Sequence, residues 1–453
     1  MGLFDRLRGD GDPRVAFLGI DGVPYSLVAD NPDVFPNLTE IAETGAAGPI
    51  DSIVPPESSA CWPALTTGRN PGAAGVYGFQ DREVGSYDTY VPNRSNVRAD
   101  RVWDRIEAAD RDATVMNVPV TFPPQRNVQR MVSGFLCPTL DKATYPDEMR
   151  DYLSGIDYRL DVNAKLGHRD DRTAFFENAD ETLDGRHEAF DHYVAADDWD
   201  LFFGVLMTTD RVNHFAFRDY EHDGPFREEF LDFYRRVDEY VGSLWRSMPD
   251  DVTTIVASDH GFTTLEYEVN CNRWLQEQGW LAYEGDDHES LGDIAAESRA
   301  YSFIPGRFYV NLEGREPRGG VPEDEYEETV AELKAMLQEF EGPDGRPVAD
   351  RVVERTEAFR GDHDDIAPDL VVVPNEGFDL KSGFGEKDRV FESDGARNGM
   401  HTFHSATLIT DDPDVGVGDD VDLLDLAPTM LDLMDVDYSR ASVDGGSLVG
   451  ARN

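Results

Sequence analysis

Three aspartates, three histidines and one serine stand in short, widely separated stretches of this chain. Asp21 closes VAFLGIDG, and Ser58 opens SSACWPALTTG. Asp210 and His214 lie four apart in DRVNH, Asp259 and His260 are neighbours in ASDHG, and His401 sits in NGMHTF. Mixed carboxylate and imidazole donors suit zinc, manganese or iron. Six such donors are enough for two divalent cations, and a hydroxyl beside them completes the parts needed for two-metal phosphoryl transfer. Each stretch alone has an ordinary explanation: a strand-end Asp capping a turn, an Asp–His pair on one helix face, a serine N-cap. The chemical reading depends on their meeting in one place.

Two positions have competitors. In PPESSACWPALTTGRNPG the two prolines restrain the approach, and SSACWPALTT reads as a helix stopped by Gly68. A hydroxyl in its first turn would sit among free backbone N–H groups that favour an anion. Ser58 fits that place, with Ser59 as the alternative. A neighbouring divalent cation would lower the hydroxyl's pKa. His404 competes with His401 for the last ligand position. Arg69, just past the helix, reads as structural.

The elements that must carry these residues follow from apolar periodicity. Val15–Ile20, Ala113–Val118, Leu201–Met207 and Thr253–Ala257 are short apolar runs that read as buried strands. Helical patterns lie between them, such as Phe226–Met248. This alternation predicts an α/β fold with a mostly parallel central sheet and helices on both faces. Ligands in such sheets collect beyond the carboxyl ends of the strands, which is where Asp21, Asp210 and Asp259 fall. After Gly261 the texture changes, with acidic, glycine-containing loops at Glu284–Asp293 and Gly377–Gly395. The expected organisation is an N-terminal tail (1–12), a first part of the catalytic core (13–261), a smaller inserted α+β cap (262–398), and a return to the core (399–453). Residues 422–436 read as a closing helix.

Composition narrows the class. The 453 residues carry 91 Asp plus Glu against 41 Lys plus Arg, a net charge of −50, and only five of the basic residues are lysine. Such like-charge density strains a compact state in dilute salt, whereas the Debye length falls to ~3 Å at 1 M. The chain therefore reads as a protein of a high-salt cytoplasm. Its general surface disfavours nucleic acid and anionic lipid, both polyanions. Three scattered cysteines form neither a disulfide framework nor a CxxC pair. No run reaches the ~20 apolar residues of a membrane span. The small Leu3, Phe4 and Leu7 patch reads as a tail rather than an anchor.

The motifs LGIDG, WPALTTGRNPG, NVPVTFPP, DRVNHF, SDHGF, RFYVNLEG, APDLVVV and GMH resemble the type I phosphodiesterase/nucleotide pyrophosphatase family of the alkaline phosphatase superfamily, in its archaeal branch. The resemblance covers all but the first dozen residues. It implies Ser58 as nucleophile, ten residues before Gly68. It implies one cation on Asp21, Asp259 and His260, with Ser58 reaching it, and another on Asp210, His214 and His401. It favours Ser58 over Ser59 and His401 over His404. The implied cofactors are two zinc ions, with manganese as the alternative. The implied substrate is a small phosphoester, a diester or a nucleotide-type pyrophosphate. The chain departs from the family where Ala73-Ala74 replaces an expected His and where Gly78 replaces an Asp. A sulfatase would need Arg four residues after its Ser or Cys, but Trp62 follows Ser58 and Leu65 follows Cys61. A phosphomutase would need a large inserted transferase domain. The remaining alternatives are a phosphomonoesterase and a non-catalytic binding protein that keeps the fold.

Overall fold

The strand RVAFLGI, Arg14–Ile20, is buried at all seven positions, as a strand flanked on both sides and covered on both faces must be. The computed structural model describes residues 12–285, 288–385, 387–418 and 420–450. The Leu3, Phe4 and Leu7 patch lies outside these residues. Eight strands form the central sheet, in the order Ala46–Ile50, Ala406–Thr410, Val252–Ala257, Arg14–Ile20, Leu201–Leu206, Ala113–Val118, Arg130–Ser133 and Thr144–Tyr145. The five from Val252–Ala257 to Arg130–Ser133 are parallel. Ala406–Thr410 pairs antiparallel with both its neighbours, and Thr144–Tyr145 closes the other edge antiparallel.

Side-chain alternation divides the core between the two faces. Ala16, Leu18 and Ile20 pack with Ile41 of helix Pro36–Thr44, Phe175 of Thr173–Val194, Val212 of Thr208–Glu221 and Val237 of Arg227–Ser247. Val15 and Phe17 pack on the other face with Trp62 of helix Ser58–Thr67, Trp103 of Val102–Ala108 and Met430 of Leu426–Leu433. The closing helix is shorter than 422–436, because a 3-10 turn at Leu423–Asp425 precedes it.

The chain leaves the sheet through Gly261–Thr264 and returns through Gly399–Thr402, and these two segments pair antiparallel. Between them lies an antiparallel four-stranded sheet in the order Ala300–Phe303, Arg307–Val310, Leu370–Pro374, Ala349–Glu354. Helices Cys271–Glu277 and Tyr326–Gln338 help cover it, and Leu275, Tyr309, Leu333 and Val372 share a core of their own. The segment expected as an acidic loop, Gly377–Gly395, contains the strands Phe378–Lys381 and Phe391–Glu392, which flank Tyr267–Asn270. Phe378 and Leu380 alternate inward there and supply the burial that the surrounding charge masks.

A hairpin from the first half of the chain, Asp81–Arg82 with Thr89–Tyr90, docks on this inserted unit. Arg307 Nη1 meets Asp81 Oδ1 at 2.6 Å, and Arg82 Nη1 meets Glu316 Oε1 at 2.7 Å, with all four side chains at most 1% exposed. Among the described residues, no helix is long and apolar enough to cross a membrane.

Candidate metal centre and pocket

Strand register explains the convergence of the aspartates. Ile20 lies beside Leu206, and Gly19 lies beside both Val205 and Ala257. Asp21, Asp259 and Asp210 therefore leave neighbouring strands at the same edge, with Asp210 in the first turn of Thr208–Glu221. Gly22 turns the chain away with φ +67°, a conformation that suits glycine. Its N–H donates to Asp259 Oδ1 at 3.2 Å. Its carbonyl accepts from Asn213 Nδ2 at 2.7 Å.

The first cluster joins Asp21, Asp259 and His260, whose ligand atoms lie within 4.8 Å of one another. All three residues are fully buried. Ser58 is the first residue of its helix, and Gly68 ends that helix in the left-handed conformation. Ser58 Oγ stands 3.1 Å from His260 Nε2 and 3.4 Å from Asp21 Oδ1. Trp62, one turn on, donates from Nε1 to Asp21 Oδ2 at 2.7 Å. The second cluster is Asp210, His214 and His401. Asp210 Oδ1 is 3.4 Å from His214 Nε2 and 3.2 Å from His401 Nε2, and these two nitrogens are 3.1 Å apart. The clusters abut, because His260 and His401 stack with ring centroids 3.8 Å apart.

The three imidazoles are oriented alike. His214 Nδ1 faces the Gly399 carbonyl at 3.2 Å, His260 Nδ1 that of Gly261 at 3.1 Å, and His401 Nδ1 that of Pro56 at 3.1 Å. A carbonyl only accepts, so each Nδ1 carries a proton and each ring turns its Nε2 inward, the atom that offers a lone pair to a cation. Burial, followed by Arg397, pushes His214 well below its ordinary range. Burial, followed by His260, lowers His401 to about 4. Burial, then the charges of Asp259 and Asp210, pushes Asp21 well up, and Asp259 rises to about 8 through burial and Asp210. Burial works against ionisation of Asp210 too, but His214, His401 and Arg211 outweigh it and hold that carboxyl well down. Asp259 Oδ2 has no hydrogen-bond partner among the described residues. Facing lone pairs, crowded carboxylates and an orphaned buried oxygen are mutually repulsive unless positive charge sits among them. The donor set thus fits two divalent cations.

All seven residues read from the sequence meet here. Of the competitors, Ser59 does not line the cavity that Ser58 lines, and His404 has a 64% exposed side chain paired with Asp51. Arg69 donates to the Ala441 carbonyl, away from the site. Sequence reading missed several supports. Trp62 heads the WPALTTG motif one helical turn after Ser58, but nothing in that motif tells that its N–H meets Asp21. Asn213, inside DRVNH, is held in turn by Tyr234 Oη at 2.8 Å. Arg211 bridges Asp210 and Asp161 at 3.0 and 2.9 Å. Ser58 and the second cluster open into a cavity of about 290 Å³, which the inserted unit also lines through Ile304, Pro305, Val372 and Leu380.

A mostly parallel α/β sheet with paired Asp/His clusters and a serine at a helix start is an arrangement suited to metal-dependent phosphoester hydrolysis. Residues 15–404 match the type I phosphodiesterase / nucleotide pyrophosphatase family, and the chain belongs to it. Among solved structures it is similar to murine ectonucleotide pyrophosphatase/phosphodiesterase 5, an inactive variant in complex with AMP. That pair shares 14% identity over 96% of this chain and 97% of that one, with a TM-score of 0.56. It is also similar to phosphonoacetate hydrolase from Sinorhizobium meliloti 1021 in complex with phosphonoformate, at 16% identity, 94% and 96% coverage and a TM-score of 0.57. The human ectonucleotide pyrophosphatase/phosphodiesterase 5 aligns at 11% identity, 96% and 97% coverage and 0.54. None of the curated protein sequences matches it significantly. At these identities the structural likenesses speak for the fold alone.

Proposed function

We propose that this chain hydrolyses small phosphodiesters or nucleotide-type pyrophosphates, with Ser58 as nucleophile and with two zinc ions, manganese being the alternative. Asp21, Asp259 and His260 would hold one cation, with Ser58 reaching it, and Asp210, His214 and His401 the other. Bound cations would neutralise the phosphoryl oxygens and ready the serine hydroxyl. The observation that carries this reading is the placement of Ser58 Oγ 3.1 Å from His260 Nε2 and 3.4 Å from Asp21 Oδ1, at the start of a helix. The helix start offers free N–H groups to an anion. Ser58 Oγ attacks phosphorus in line with the departing alkoxide or phosphate, the hydroxyl proton ending on that leaving group by way of solvent, and the serine phosphodiester so formed keeps the other substituent until water hydrolyses it to the monoester and free Ser58. Trp62 and Asn213 act as positioning residues through Asp21 and Gly22. The apolar wall of the inserted unit gives an organic substituent a surface to pack on and screens the reaction from water.

The test uses the purified chain in molar salt with zinc or manganese and a nitrophenyl nucleoside phosphodiester. Ser58→Ala is expected to lose about three orders of magnitude or more in kcat, as for removal of a catalytic nucleophile. A Ser58→Ala protein that turns over like the parent would overturn the assignment. A nitrophenyl phosphomonoester assayed in parallel sets the diester preference.

A further inference from the structure

The pocket holds more positive charge on one wall than its neighbours neutralise. Arg211, Lys381 and Arg397 line it. Arg211 is matched by Asp161 and Asp210, and Lys381 pairs with Asp379. Arg397 has no carboxylate within ion-pairing distance among the described residues. Its Nη2 instead lies 2.6 Å from His214 Nε2, the inward lone pair of a neutral imidazole. On the wall shared by Lys381, Arg397 and Asp379, two cations thus face one carboxylate.

Its position is as informative as its charge. Contacts run in a row from Ser58 Oγ to His260 (3.1 Å), from His260 to His401 (ring centroids 3.8 Å), from His401 to His214 (3.1 Å) and from His214 to Arg397 (2.6 Å). Ser58 therefore touches the first cluster and Arg397 the second, and a two-cation site stabilises the attacking oxygen at one ion and the leaving oxygen at the other. In an in-line displacement the group opposite the nucleophile is the one that leaves. Were His214 Nε2 to hold a cation, the guanidinium would give up that contact and its planar fork would be available for two oxygens of an anion.

We infer that Arg397, with Lys381 beside it, forms a subsite for a second anionic group carried on the leaving-group side of the scissile phosphoryl. This selects phosphoanhydrides, and diesters whose leaving group bears phosphate or carboxylate, over diesters with an uncharged leaving group. The inference rests on Ser58 being the nucleophile. It assigns Arg397 a substrate contact rather than a role in holding cations.

The experiment compares the parent, Arg397→Gln and Arg397→Lys on three substrates: the nitrophenyl ester of a nucleoside monophosphate, its carboxyphenyl ester, and the nucleoside triphosphate. Arg397→Gln is expected to lose roughly 10- to 100-fold in kcat/KM on the two substrates with charged leaving groups, the scale of losing charge-assisted hydrogen bonds. On the nitrophenyl ester the loss stays within about threefold on the same scale, and Arg397→Lys recovers part of the selectivity. Inhibition by methylenediphosphonate weakens in step, with cation content unchanged. A loss confined to the triphosphate assigns the subsite to phosphate. An equal loss on all three substrates, no loss on any, or a fall in cation content overturns the proposal. Unimpaired turnover by Ser58→Ala would instead refute the nucleophile while leaving the substrate ratios measurable.

Discussion

Replacing Trp62 with phenylalanine isolates what holds Asp21 in place. Both side chains are fully buried, and the indole Nε1 donates to Asp21 Oδ2 at 2.7 Å. The indole also lies edge-on to Phe17 and Phe203, with centroids 6.4 and 6.3 Å away. Phenylalanine keeps an aromatic ring but removes the donor. A hydrogen bond to a charged group is worth about 1.5–3 kcal/mol, and the void behind the smaller ring adds roughly 1 kcal/mol. The larger expected effect is on cation binding, because losing the partner that orients a ligand costs ~10–100-fold in affinity. Titration of the chelator-treated protein with zinc in molar salt, followed by a chromophoric indicator, reads this directly. Trp103→Phe is the control. That residue is equally buried and also packs edge-on to Phe203, but its N–H goes to Gln125, remote from the site. Trp103→Phe should lose stability and keep affinity. If both variants bind zinc like the parent, or both weaken alike, Trp62 does not act through Asp21. Gly19 gives a second approach to the same contact: a Cβ there would lie 2.5 Å from Trp62 Cη2, so Gly19→Ala should displace the indole and reproduce the affinity loss.

Three further outcomes are expected. With cations removed by chelation, stability should fall as pH rises from 6.5 to 8. Asp259, raised to about 8, keeps its proton when folded and loses it near 4 when unfolded, so the folded state binds more protons in that window. Below pH 6.5 the lowered His401 works in the opposite direction, since the unfolded chain takes up its proton first. The change from Asp259 alone is about 2 kcal/mol at 1.36 kcal/mol per pH unit; denaturant midpoints that stay flat across this window, or an unaltered slope in Asp259→Asn, would contradict it. Arg307→Met should leave Asp81 buried without its partner at a cost of roughly 3–5 kcal/mol, and hydrogen exchange should show residues 76–98 opening first; protection equal to the parent would refute the docking role. His404→Ala should keep activity within about twofold, as for an exposed ion pair, and a large loss in steady-state turnover would return His404 to the site.

The strand ends were readable because a buried parallel strand is an unbroken apolar run; Asp21 follows one such run directly and Asp259 follows another after Ser258. The spacing of Asp210 and His214 held because four residues make one helical turn. What escaped depends on partners distant in sequence. Trp62 reaches Asp21 through helix-on-sheet packing. His401 is oriented by the Pro56 carbonyl, 345 residues away. The hairpin at Asp81–Arg82 has only two residues per strand and is fixed by Arg307 and Glu316 rather than by any pattern of its own. The edge strand Ala46–Ile50 contains Gly48 and Pro49, which weaken a strand signal; it forms because Ala406–Thr410 presents an antiparallel partner.

The ribbon of Gly261–Thr264 against Gly399–Thr402 places His260 and His401 at the threshold of everything inserted between them. Phe262 lies directly across from His401. The doorway therefore stays the same width whatever is built beyond it, since two short paired strands set the spacing. All seven residues of the two clusters and the serine lie outside the segment from 265 to 398, so whatever stands between Thr264 and Gly399 meets them only across this ribbon and the cavity beside it.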